Sequence, residues 1–97
     1  MSTNRERYMA IKENLKDVHV YHESSHFDRK AVKDMATGKM YLYEFNEHVD
    51  YSGGPDEIYE TFSEVKHLAD ATILNQQQDI RRTPWFRVMP DYAIIAG

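Results

Sequence analysis

Ninety-seven residues provide for one domain, since single cores usually fill about 100–150 residues before a chain divides. With 41% hydrophobic and 12% aromatic residues, four Gly and three Pro, the chain carries the apolar surface of a folded domain. Zero Cys excludes a disulfide framework, thiolate metal sites, iron–sulfur ligation and cysteine nucleophiles.

Twelve Lys and Arg against sixteen Asp and Glu leave a formal charge of -4, which disfavours nucleic acid as a partner because phosphate neutralisation needs a dense positive field. No stretch approaches the roughly 18 consecutive apolar residues of a membrane span, so no membrane partner is expected. The first fifteen residues alternate charge with apolar groups, unlike a signal peptide, and the cytoplasm is the expected compartment.

Thr3-Asn4-Arg5-Glu6 has the spacing of a capping box, and Tyr8, Ile11 and Leu15 follow on one stripe, predicting a helix that ends near Lys16 or Asp17. Val18 and Val20 then alternate with His19 and Tyr21, which predicts a first strand over 17–23. Ser24-Ser25-His26 and Asp28 suit a turn. Asp34 and Gly38 bracket a connection between Lys30–Asp34 and the aromatic run Met40–Phe45, predicting a hairpin in preference to a short helix over 28–36.

After Ser52-Gly53-Gly54, Pro55 with Asp56 and Glu57 reads as a helix start. Ile58, Phe62, Val65, Ala69 and Ile73 fall at helical intervals, with Glu57, Glu60, Glu64 and His67 opposite, so a long amphipathic helix is expected from Pro55. Pro84 ends it, Trp85–Val88 reads as a short strand, Pro90-Asp91 as a turn, and 92–96 as a terminal strand. The expected fold is an α+β two-layer sandwich of order α-β-β-β-α-β-β, with two helices on one face of an antiparallel sheet of three to five strands. The first five elements share their order with the double-stranded RNA-binding domain. That module, however, grips phosphates with basic residues where this chain has Pro55-Asp56-Glu57.

No catalytic motif is present: there is no G-x-S-x-G, no H-E-x-x-H and no phosphate-cradling glycine loop, so a non-enzymatic role without cofactor is expected. His19, His22, Glu23 and His26 are metal-ligand types, but strand alternation would turn His19 and Glu23 away from His22, and no metal site is expected. Tyr41, Tyr43 and Phe45 share one face of a strand whose other face carries Met40 and Leu42. They are either core or an exposed interface patch; a strand apolar on both faces beside a single helical layer favours a partner. Arg81, Arg82 and Arg87 surround Trp85, the only tryptophan, and Trp with Arg dominates binding hot spots.

These features point to a small protein-interaction module that binds another protein or itself as a homo-oligomer. An inhibitor of a host factor of the type phages and mobile elements encode, or an assembly subunit, would fit. The rival class is a nucleotide- or nucleic-acid-binding module built on the same Arg, Trp and Tyr surface.

Overall fold

The computed structural model describes residues 3–82 and 84–97. Helix α1, Asn4–Glu13, starts where the Thr3 hydroxyl accepts from the Glu6 amide at 3.1 Å. Its end comes earlier than the apolar stripe suggests: Asn14 bonds back to the Ala10 carbonyl through its side chain, and Leu15 already pairs as a strand residue. Strand β1, Leu15–Glu23, is followed by β2, Phe27–Asp34, and β3, Met40–His48.

The β2–β3 turn takes the expected form. The Asp34 carboxylate accepts from the amides of Ala36 and Thr37, and Gly38 sits at φ 79, a conformation that costs glycine little. Residues 57–65 depart from the helix expected there. They form strand β4, Glu57–Val65, and only the tail of the expected long helix exists, as α2, Leu68–Leu74. Ile58, Tyr59, Thr61, Phe62 and Val65 are β-branched or aromatic residues that suit a pleated strand, and β4 lies between two neighbours in the sheet. Strands β5, Trp85–Val88, and β6, Ile94–Ala96, complete the chain.

The six strands form one antiparallel sheet in chain order, and the element order is α-β-β-β-β-α-β-β. The fourth strand before α2 also removes the order shared with the double-stranded RNA-binding domain.

The helices lie on opposite faces, another departure from expectation. Ala31 and Leu42 pack with Ala71, Leu74 and Ile80 beneath α2, whereas Val32, Tyr43, Phe62 and Val88 pack with Tyr8 and Ile11 of α1. Neighbours in sequence, Ala31 with Val32 and Leu42 with Tyr43, thus serve opposite cores, as strand alternation requires. Phe62, with no exposed surface, stacks on Phe86 at 4.6 Å and meets the rings of Tyr41 and Tyr43 at 5.9 and 5.0 Å.

On the α2 side, Arg29 bonds Glu44 at 2.9 Å and donates to the carbonyls of Asn75, Gln77 and Gln78, each at 2.8 Å. One guanidinium thereby holds the end of α2 and the segment after it against β2 and β3.

Candidate functional site

Two places on this scaffold combine side chains of binding chemistry. The first lies on the α2 side of the sheet. Helix α2 packs over β3 and β4, and the core beneath it takes no residue from β5 or β6. Cross-strand pairing sets Trp85 opposite Ser63 and Arg87 opposite Thr61 on that face, with Ile95 of β6 opposite Arg87. The Arg81 guanidinium lies 5.5 Å from the Trp85 ring centre and grips the Asp79 carboxylate through two nitrogens, at 3.0 and 2.8 Å. That grip holds the Asp79 carboxyl well below the usual carboxylate range, the Arg81 hydrogen bonds being the cause. Arg87 donates to the Thr61 hydroxyl at 2.9 Å and makes no ion pair among the described residues.

Arg82 turns the other way. It bonds the carbonyls of Asp79 and Arg81 and lines a groove of about 580 Å³ beside α2 with Ile73 and Leu74, Ile73 being 62% exposed. Arg81, Trp85 and Arg87 therefore share one surface, with Arg82 at the lip of the adjoining groove.

The β3 aromatics do not join them. Tyr43 is 5% exposed and, with Tyr41 and Phe45 half-buried beside it, belongs to the core beneath α1. The strand that looked apolar on both faces is covered on both, once by each helix, so its composition does not call for a partner. The histidine run also departs from strict alternation. Register shifts after Asp17 and after Val20 make β1 irregular, so His19 and His22 pair with Ala31 and Arg29, both on the α2 side. Among the described residues no three His, Asp or Glu side chains gather as metal ligands.

The second place has no signature in the sequence. Glu60, expected as a solvent-facing helix acid, lies on β4 at 5% exposure beneath α1. The Tyr8 hydroxyl donates to its Oε1 at 2.8 Å, while Lys12 Nζ stands 3.4 Å from Oε2 and donates to the Tyr43 hydroxyl at 3.3 Å. Oε2 is shut off from solvent and has no hydrogen bond among the described residues. Burial, reinforced by the Glu60 carboxylate, pushes the hydroxyls of both Tyr8 and Tyr43 well above the ordinary tyrosine range. Nothing in a single sequence distinguishes Glu60 from Glu57 or Glu64; only the pairing of β4 with β3 and β5 turns it inward.

No helix among the described residues is long and apolar enough to cross a membrane. A scan of protein-family models, a search of curated protein sequences and a search of solved structures each returned no match to this chain.

Proposed function

We propose that the protein is a non-enzymatic interaction module that docks on another protein, or on a second copy of itself, through Trp85 and the arginines around it. The observation that carries this reading is the Arg81–Trp85 pair beside Arg87, which bonds Thr61 but makes no ion pair among the described residues, on a part of the sheet that α2 leaves uncovered. A half-buried indole braced by a guanidinium is a preordered anchor, with little side-chain entropy left to lose on binding. Ile95 and the groove at Ile73 extend the apolar area on either side. Tyr41, Tyr43 and Phe45 lie in the core on the opposite, α1 side of the sheet and are not part of this surface. A partner presenting carboxylates around an apolar centre would complement Arg82 and Arg87, and an inhibitor of a cellular factor or an assembly subunit would use the surface in the same way.

Light scattering across a concentration series, run in parallel with affinity capture by wild type and Trp85→Ala, tests the reading. Self-association, or a retained protein, that is lost on Trp85→Ala is expected, with a cost of about 2 kcal/mol or more of binding. A monomer at every concentration, with identical captures by the two proteins, would refute it. Oligonucleotide or nucleotide binding that falls steeply with salt and vanishes without the arginines would transfer the surface to a phosphate ligand.

A further inference from the structure

The edges of a β-sheet present unpaired backbone groups, and proteins guard them with charge, bulges or cover. This sheet guards one edge and leaves the other open. Strand β1, at the first edge, carries Lys16, Asp17 and Glu23 and is broken by register shifts after Asp17 and after Val20. Strand β6, at the second, is Ile94-Ile95-Ala96, with no charge, no proline and no shift in its register against β5. All of its residues are exposed, Ile95 at 44%. We propose that β6 pairs antiparallel with β6 of a second copy of this chain, about a two-fold axis at Ile95. Such a joint gives the Trp85 surface proposed above its partner, and only the part played by Trp85 rests on that reading.

Hydrogen bonds in the β5–β6 hairpin fix which groups face outward. The Gly97 amide donates to the Trp85 carbonyl at 3.1 Å, and the Met89 amide donates to the Ala93 carbonyl at 2.8 Å. Bonded pairs alternate with non-bonded ones in an antiparallel ladder, so Arg87 and Ile95 form the bonded pair between these two. The N–H and C=O groups of Ile94 and Ala96 therefore point away from β5. A two-fold axis at Ile95 sets Ile94 of each copy against Ala96 of the other, and every outward group on both strands finds a partner. Ile95 then meets Ile95 of the second copy in a non-bonded pair, where side chains stand closest, on the face that carries Trp85 and Arg87. Charge agrees with this arrangement. The two Arg87 side chains are kept apart by three strand spacings, roughly 14 Å, which exceeds the screening length of about 8 Å at physiological salt. Arg81 and Arg82 precede β5 at one end of the hairpin, and Asp91, whose carboxylate accepts from the Ala93 amide and makes no ion pair among the described residues, lies in the turn at the other. Antiparallel pairing brings the acidic turn of each copy alongside the basic end of the other. The Trp85 indole reaches the joint as well: it lies over Gly97, where a side chain would collide with it, and Gly97 faces Ala93 of the second copy. A joint of so few residues buries less than the roughly 1,200 Å² of a standard interface, so the pair is reversible, and its two-fold closure stops growth at a dimer.

Sedimentation of the full chain across a concentration series into the millimolar range tests the pairing, together with amide hydrogen exchange at both ends of the series. A monomer–dimer equilibrium is expected, with the Ile94 and Ala96 amides exchanging roughly tenfold more slowly in the dimer than on dilution. Because residue 95 meets its own copy, Ile95→Lys and Ile95→Glu should each weaken the dimer roughly tenfold, and an equal mixture of the two should associate roughly tenfold more tightly than either alone. The Ile95 side chain is exposed, so both variants should keep the fold by circular dichroism; if one does not, exchange at Ile94 and Ala96 in the unaltered protein carries the test. A dimer that follows this charge rule yet survives Trp85→Ala undiminished supports the β6 joint and removes Trp85 from it. Association that is lost on Trp85→Ala but indifferent to charge at residue 95 would keep the surface proposed above and overturn the β6 joint. A monomer at every concentration, or species that grow beyond a dimer, would overturn it too, whether or not Trp85 captures another protein.

Discussion

Replacing Arg29 with methionine removes the guanidinium that joins β2, β3 and the end of α2. In the folded protein the Arg29 and Glu44 side chains are only 11% and 12% exposed, so the substitution strands a nearly buried carboxylate. Breaking a buried pair by deleting one partner costs about 3–5 kcal/mol. The carbonyls of Gln77 and Gln78 lie where water can replace the lost donors, which places the total near the lower end, at about 3 kcal/mol. A domain of this length is stable by about 5–15 kcal/mol, and 1 kcal/mol corresponds to roughly 4–8 °C of melting temperature. Arg29→Met should therefore melt about 12–24 °C lower, and urea unfolding should show a lower midpoint at unchanged slope. Because the cost lies in the orphaned charge, Arg29→Met combined with Glu44→Met should recover at least half of the loss. A single-variant loss below about 1 kcal/mol, or a double variant no better than the single, would refute the role given to this clip.

Phe62 is fully buried among Tyr41, Tyr43 and Phe86, so Phe62→Ala should cost about 3–5 kcal/mol in urea unfolding. A loss under about 1 kcal/mol would contradict its central place in the core. The raised pKa values of Tyr8 and Tyr43 mean that folding favours their protonated forms. The associated stability is fully present below the unfolded tyrosine value of about 10 and is lost as pH climbs above it. Denaturant unfolding as a function of pH should show this decline, and the Tyr8→Phe, Tyr43→Phe double variant should flatten it. An unchanged alkaline slope in that variant would show that these two hydroxyls are not the groups responsible.

Short-range chemistry is legible in the order of the residues. The Thr3 cap, the Asp34 and Gly38 turn and the Trp85–Val88 strand each depend on a few adjacent residues whose side chains bond or constrain their own backbone, and each appears as expected. The clustering of Arg81, Trp85 and Arg87 is legible for the same reason: the residues are near in sequence, and Trp85 and Arg87 share a strand face by alternation. Hydrophobic period misleads over 57–65. A strand covered on both sides needs apolar residues on both, so β4 shows no alternation, and Ile58, Phe62 and Val65 fall by coincidence at helical spacing.

The same coincidence conceals Glu60, whose burial depends on its neighbours in β3 and β5 and on Tyr8 and Lys12, 52 and 48 residues away in sequence. The placement of α1 and α2 on opposite faces is equally a tertiary matter. Tyr8 and Ile11 can satisfy their apolar stripe on either side of a sheet, and the choice rests on which rings and aliphatic groups the completed sheet presents to them. Local residue order is enough to specify the α+β class, the turns and caps and the arginine–tryptophan cluster. The assembled sheet alone settles which aromatics are interior and that a carboxylate lies beneath α1, because burial and pairing are properties of residues brought together from distant parts of the chain.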